Sequence, residues 1–330
     1  MMRSTSPSSG PAPVRTSTGG LLSRRNALRG GGVGAAAIAL ALTTGCDIRL
    51  GTGAPDSLPM PPASESTRDS LARRASLIAS TADVVAGSGA DGTGSAGHLA
   101  DSGRAQLDAL GGVWEPWATG APSGYPTASP IPTPNPTASS EELVTMLTEG
   151  ATQASAAASQ ASEDADARLY ASLAVAWLLG ARSLNPDSVD IPGRTTPADA
   201  PMPGTVLQAY DAARYAFQEV AARAADDQRA RAIEDAAYAN GLVSDSLALG
   251  GQDTRLSAYA PPEQAADDAS LDVTWARSAW TTVVDAEVAG VGANGGAATT
   301  LAINAAADAS LRAQAWGATV DEALPGYASA

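Results

Sequence analysis

Alanine dominates this sequence from Ala35 onward, while phenylalanine occurs once, at Phe217, and lysine not at all. Alanine is the best helix former and has no side-chain entropy to lose. Strands need runs of β-branched and aromatic residues, and such runs are scarce here. The chain is therefore expected to be all-α, with helices that approach closely on small side chains. Apolar residues recurring every three or four positions then set the number and the faces of those helices.

Ser66-Thr67-Arg68-Asp69 reads as a helix start, followed by Leu71, Ala75, Ile78, Ala82 and Val85 on one stripe. A second, more weakly patterned helix runs from about His98 to Leu110 and stops at Gly111-Gly112. Ser139-Ser140-Glu141-Glu142 has the spacing of a capping box and opens a third, through Leu143, Met146, Leu147 and Gly150. A fourth, from about Glu163 to Ser183, carries Leu169, Leu173, Trp177 and Gly180. The second half repeats the plan. Helices are expected near 205–225 (Val206, Tyr210, Ala213, Phe217) and 226–249 (Ile233, Ala237, Leu247). A third is expected after Pro261-Pro262 (Leu271, Trp275, Val283), and a fourth from Ala297 to Ala323 (Ile303, Ala307, Leu311, Trp316), stopped by Pro325-Gly326.

Prolines mark the breaks, since a proline lacks the amide proton that a helix interior needs. They concentrate in a loop over 114–137 and in a segment over 185–204. The expected organisation is two four-helix up-down bundles, 64–184 and 205–330, joined by a linker at 185–204. Two local matches suggest duplication: Asp108–Gly112 with Leu247–Gly251, and Ala165–Ala171 with Ala307–Ala313, at offsets of 139 and 142 positions. Chance similarity between Ala-rich helices is the competing explanation.

The segment Leu207-Gln208-Ala209-Tyr210-Asp211-Ala212-Ala213-Arg214-Tyr215-Ala216-Phe217, the break Leu249-Gly250-Gly251, Tyr259-Ala260-Pro261-Pro262 and the ending Leu324-Pro325-Gly326 carry a family resemblance. They resemble the ferritin-like domain of unknown function found in actinobacterial proteins, often lipoproteins. The resemblance covers 205–330 and implies a ferritin-like four-helix domain without an assigned reaction. A di-iron centre on such a bundle needs carboxylates from facing helices and Glu-x-x-His on two of them. The chain has one histidine, His98, outside that region, and no Glu-x-x-His. Asp211 stands near the expected first-helix ligand, but one short carboxylate cannot hold two metals. No cofactor and no metal site are expected.

Ahead of the helices, Ser23-Arg24-Arg25-Asn26-Ala27-Leu28-Arg29 precedes an apolar stretch from Gly30 to Leu42 and then Thr43-Thr44-Gly45-Cys46. A basic start, an apolar stretch of this length and a small-residue exit form a cleavable export signal, too short to span a membrane. The Arg24-Arg25 pair resembles a twin-arginine export motif, with Ala27 and Arg29 in place of the usual Phe and Lys. Thr43–Cys46 resembles a lipobox, with Leu42 one step further out than usual. The expected reading is a signal peptide over 1–45, lipid attachment at Cys46 and a flexible tether over 46–63. The alternative is an ordinary secretory signal in which Cys46 is an incidental thiol. Cys46 is the only cysteine, which excludes an intrachain disulfide or a multi-cysteine zinc site.

The balance of 20 basic against 35 acidic residues, a net charge of −15, argues against nucleic-acid partners. Asp164 with Asp166, Asp226 with Asp227 and Asp267 with Asp268 stand near helix starts, where acids complement the macrodipole; calcium coordination and acid–base chemistry are the other readings. The tryptophans Trp177, Trp275, Trp280 and Trp316 suit core packing or the wall of an apolar pocket. The Gly-rich stretch 87–97 follows no strand and lacks the Gly-Lys-Ser/Thr ending of a phosphate loop. The expectation is a non-catalytic lipoprotein on the extracytoplasmic face of the cell membrane. Its partners would be the membrane, through lipid, and an unidentified envelope protein or ligand. The alternative is a degenerate ferritin-like metal binder or enzyme.

Overall fold

The computed structural model describes residues 61–89, 94–117, 128–196, 200–266 and 269–327. Arg24, Arg25, Cys46, most of the expected tether and Asp267-Asp268 lie outside them. Among the described residues there are eight helices and no strand: α1 Ala63–Ser88, α2 Ser95–Ala109, α3 Ser140–Gln160, α4 Asp164–Leu184, α5 Gly204–Arg223, α6 Asp226–Ala248, α7 Leu271–Ala289 and α8 Ala297–Ala315. The all-α expectation holds.

Packing divides the helices into two quartets. In the first, α1 lies against α2 and α3, and α4 lies against α2 and α3. In the second, α5 packs on α6 and α7, and α7 on α8. Short turns join α3 to α4 and α5 to α6, whereas much longer stretches of sequence separate α2 from α3 and α6 from α7. The second helices of both quartets end in the same way. Leu110 N–H donates to Gln106 O, Gly111 N–H to Asp108 O and Gly112 N–H to Leu107 O. Leu249, Gly250 and Gly251 repeat these bonds to Asp245, Leu247 and Ser246, shifted by 139 positions throughout. Gly111 and Gly250 both have φ of +80°, which glycine adopts without strain.

The expected stripe of α1 is buried in full, as are Leu143, Leu147 and Gly150 of α3. A Cβ at Gly150 would sit 2.9 Å from the Trp177 ring, so the glycine makes room for the indole. The Ser139 hydroxyl accepts from Glu142 N–H at 3.2 Å, which is half of a capping box. Glu142 does not reach back; its carboxylate accepts from the Asn135 amide instead.

Four local expectations are corrected. Helix α1 begins one turn earlier than Ser66, at Ala63, because Pro62 supplies the first carbonyl, to Ser66 N–H. Helix α7 begins at Leu271, not after Pro261-Pro262, because the Ser270 hydroxyl caps it through Val273 N–H at 3.2 Å. Helix α8 stops at Ala315, well before Pro325. Gly317 turns left-handed (φ +85°), and Arg277 Nε donates to Trp316 O at 2.9 Å. Helix α6 is rotated from the expected face: Ile233 is 56 % exposed, while Ala232, Asp235, Ala236, Ala239, Leu242 and Val243 point inward.

The described residues belong to one compact unit, and one apolar core runs through both quartets. Helix α8 packs on α4 and α3, which is possible at close range because Ala302, Ala306, Ala309 and Ala313 present no bulk. Polar ties reinforce this seam. Ser172 donates to Pro325 O at 2.8 Å, Gln106 to Ala323 O at 2.8 Å, and Ala293 N–H to Asp164 Oδ1 at 2.8 Å. In the non-helical segment 185–196, Arg194 is buried against this body. No helix among the described residues is long and apolar enough to cross a membrane.

Candidate functional site

The first quartet has an apolar interior with few polar groups, chief among them Gln106, whose Oε1 accepts the Trp177 indole proton at 2.8 Å. The second quartet buries charge. Asp211 on α5, Asp235 on α6 and Glu287 on α7 are all at most 4 % exposed, and each sits on a helix whose other inward residues are mostly apolar. A buried carboxylate is tolerated only when opposite charge and hydrogen bonds compensate it.

Each of them is compensated by an arginine. Asp211 accepts from Arg214 Nε at 2.8 Å on one oxygen and from the Tyr259 hydroxyl at 2.9 Å on the other. Asp235 accepts from Arg312 Nη1 at 3.0 Å on Oδ1, and from the indoles of Trp316 at 2.8 Å and Trp280 at 3.2 Å on Oδ2. Arg312, on α8, also reaches Asp308 at 2.9 Å and lies 3.9 Å from the centre of the Tyr238 ring. Burial works against its charge, but the carboxylate partners outweigh that and raise its pKa. Glu287 pairs with Arg194 Nη1 through Oε2. Burial pushes the Glu287 carboxyl up from its ordinary pKa, and Arg194 opposes the shift. Burial also raises the phenols of Tyr210 and Tyr238, helped by Glu287 and Asp308 respectively.

Aromatic rings close around these ions. Phe217 stacks on Trp316 with centroids 5.9 Å apart and packs on Trp280 at 5.3 Å. Trp177, Trp275, Trp280 and Trp316 are all buried, in agreement with the packing reading of the tryptophans.

Asp211, the candidate ligand in the sequence, thus has both oxygens engaged by protein donors. Asp164 receives a loop amide from 293, while Asp226 and Asp227 are exposed at the start of α6. Among the described residues no three His, Cys, Asp or Glu side chains gather as metal ligands would. His98 is exposed on α2, at the edge of a cleft formed with Leu99, Trp177, Gly180 and Thr319–Glu322.

Sequence reasoning passed over Asp235, Glu287 and Arg194. Glu287 falls four residues after buried Val283, and Asp235 three after buried Ala232, so both lie on the inward stripe of their helices. That is the one signal the sequence offered. Arg194 offered none, being a lone arginine in a proline-rich segment.

One cavity opens beside this charge network. It has a volume of about 270 Å³ and lies between Arg194, Ala200, Pro201 and Pro203, the end of α7 and the start of α8. Arg194, Glu287 and Thr299 provide its buried polar lining, and Val206, Val291 and Leu301 are among its apolar residues. No family model, curated protein or solved structure matches the chain.

Proposed function

We propose that this chain is a lipid-anchored, extracytoplasmic helical lipoprotein whose body binds or scaffolds another molecule of the cell envelope and carries out no reaction of its own. Arg24-Arg25 direct export and Cys46 carries the lipid on this reading. Two acyl chains suffice for stable anchoring without a membrane-spanning helix. The body is read as two four-helix up-down bundles, the C-terminal one ferritin-like. The parallel pairing of the quartets, the long connection between second and third helices and the repeated ending of α2 and α6 support it.

The observation that carries the non-catalytic reading is the pairing of the second quartet's buried carboxylates with guanidinium groups. Asp211, Asp235 and Glu287 each hold an arginine where a ferritin-like metal centre would need open carboxylate oxygens. Fixed positive charge from Arg194 and Arg312 does the electrostatic work that a metal would do in a di-iron protein.

Elemental analysis of the protein purified from its membrane tests this reading. The expected result is no stoichiometric transition metal; one iron or manganese per chain would overturn the reading in favour of a metal binder or enzyme. Cys46→Ala should release the protein from the membrane or leave it unprocessed, and unchanged membrane retention would refute the anchor. Arg24→Lys with Arg25→Lys keeps the charge but removes the guanidinium pair. Normal export of that double variant would place the protein on the general secretory route.

A further inference from the structure

A cleft of about 560 Å³ opens in the first quartet, between the first turns of α1, the end of α3 and the start of α4. Leu71 and Tyr170 belong to its lining and are 0 % and 3 % exposed. The ring of Tyr170 is packed in the core, yet its hydroxyl makes no hydrogen bond with the described residues. Arg194 Nε and Thr299 Oγ1 also have no partner, but they are sealed inside the protein. The Tyr170 hydroxyl keeps accessible surface, on the cleft that the residue lines. Buried polar side chains are almost always hydrogen-bonded, so this hydroxyl holds one bond in reserve for a molecule from outside.

Asp166 stands one turn before Tyr170 on α4, which puts both side chains on one face of the helix. It is partly buried, lines the same cleft and has no arginine partner among the described residues. Burial, helped by the Asp166 charge, pushes the Tyr170 pKa up to about 12, so the hydroxyl stays a neutral donor. Ser66 and Thr67 of α1 and Ser162 of the α3–α4 turn add hydroxyls that make no bond with the described residues. By contrast, the hydroxyls of Ser80, Thr145, Thr148, Thr152 and Ser159 donate to the carbonyl four residues back in their helices. The turn itself is held from outside the cleft: Asn294 N–H donates to Ala161 O at 2.9 Å and Gly296 N–H to Ser159 O at 3.3 Å. A wall fixed in advance lowers the ordering cost of binding.

The lining describes the ligand. Its described residues include no lysine, arginine or histidine, so an anion finds no partner and meets the Asp166 charge. Hydroxyl groups are donors and acceptors at once and match other hydroxyls, and the two oxygens of a carboxylate accept from two neighbouring ones. Leu71, Ala156, Ala157 and Ala161 offer small apolar surface for the C–H face of a ring. The volume lies inside the range of about 300–1,000 Å³ that small-molecule sites span.

We propose that this cleft binds a neutral sugar, as a single ring or a short chain of rings. One sugar hydroxyl bonds to the Tyr170 hydroxyl, two neighbouring ones donate to the Asp166 carboxylate, and Ser66, Thr67 and Ser162 surround the rest. The proposal deepens the binding-protein reading and rests on it, with a sugar-bearing polymer of the envelope as the class of partner.

The test uses the full mature chain in a detergent without sugar headgroups. It is titrated by calorimetry with maltose, cellobiose and N,N′-diacetylchitobiose, with putrescine and inorganic phosphate as cation and anion controls. Binding of at least one disaccharide, and of neither control, is expected. Tyr170→Phe removes only an oxygen without a protein partner, so the thermal melt should be unchanged or slightly higher. Sugar binding should weaken about tenfold, as loss of one hydrogen bond of about 1.4 kcal/mol does. Asp166→Asn should weaken it at least as much and leave the helical spectrum intact. Absence of sugar binding at millimolar concentration overturns the proposal, as does sugar binding indifferent to either substitution. Binding of putrescine in place of sugar would make the cleft a cation site, and a lower melt for Tyr170→Phe would make its hydroxyl a structural group; each also overturns the proposal. None of these results would touch the anchored, metal-free reading, which fails only by its own metal and membrane measurements.

Discussion

The two quartets pair their helices alike but hold their interiors together by different means. The first packs Leu71, Ile78, Leu143, Leu147, Leu173 and Trp177 with neutral hydrogen bonds, chief among them that from Trp177 to Gln106. The second gives the same kind of indole an ionised acceptor, Asp235, and adds two further carboxylates with their arginines. An apolar interior tolerates loss of a contact by partial collapse. A charged one fails more abruptly, because removing one ion leaves the other buried and unpaired. The second quartet is therefore the more specific structure and the more fragile one.

The most severe test of that contrast is to cut between the quartets. A fragment over 203–330 lacks Arg194, leaving Glu287 without its guanidinium, and it exposes the face of α8 that α4 and α3 cover. It is expected to show no cooperative thermal transition. A cooperative melt of this fragment would mean that the second quartet owns its core outright. The fragment also tests whether 185–204 is a linker in the folding sense.

Next in size is Arg194→Met, expected to lower stability by about 3–5 kcal/mol at neutral pH, as breaking a buried pair does. Its pH dependence sharpens the point. Burial holds the Glu287 pKa above its unfolded value, so the fold prefers the protonated carboxyl. Stability is then lost as pH rises from about 4.3, the unfolded glutamate value, through the raised folded value. Arg194 opposes that shift, and without it the loss deepens. Denaturant titrations should find the variant much weaker than the parent at pH 7 and closer to it at pH 4. An equal deficit at both values would show that Arg194 acts through packing alone.

Asp235→Asn and Gln106→Leu compare the two indole acceptors directly. The first turns a carboxylate with three donors into a neutral amide and should cost about 2–3 kcal/mol; the second strands the Trp177 indole N–H and the Ala323 carbonyl and should cost about 1–2 kcal/mol. Chemical denaturation with tryptophan fluorescence measures both. The reverse order would mean that the charge on Asp235 contributes little beyond its hydrogen bonds. The smallest effect expected is also a control. Ser139 and Ser270 cap the third helix of each quartet with the same bond at 3.2 Å. Alanine at either position should cost about 1 kcal/mol. A clear inequality would mean that helix ends, and not only interiors, differ between the quartets.

The helices were legible because their signals are local. Leu71, Ala75, Ile78, Ala82 and Val85 repeat at helical spacing, and all five are buried. Ser139 announces its cap three residues ahead of Glu142. Local signals misled where a distant residue overrules them. Ile233 looks inward by hydropathy yet faces solvent, because Asp235 is held inside by Trp280, Trp316 and Arg312 from two other helices. The Pro261-Pro262 pair looked like a first helical turn, but Ser270 takes the cap and the chain from 259 is engaged instead through Tyr259 and Asp211.

The all-α class, the helix count among the described residues and most of the apolar stripes are thus properties of the sequence itself, since backbone propensity and side-chain periodicity act within a few residues. The charged interior of the second quartet and the cavity beside Arg194, Glu287 and Thr299 are not. Arg194 and Glu287 stand 93 positions apart, and nothing in either neighbourhood names the other. Only tertiary packing joins them, because the energy of a buried ion depends on what surrounds it in space.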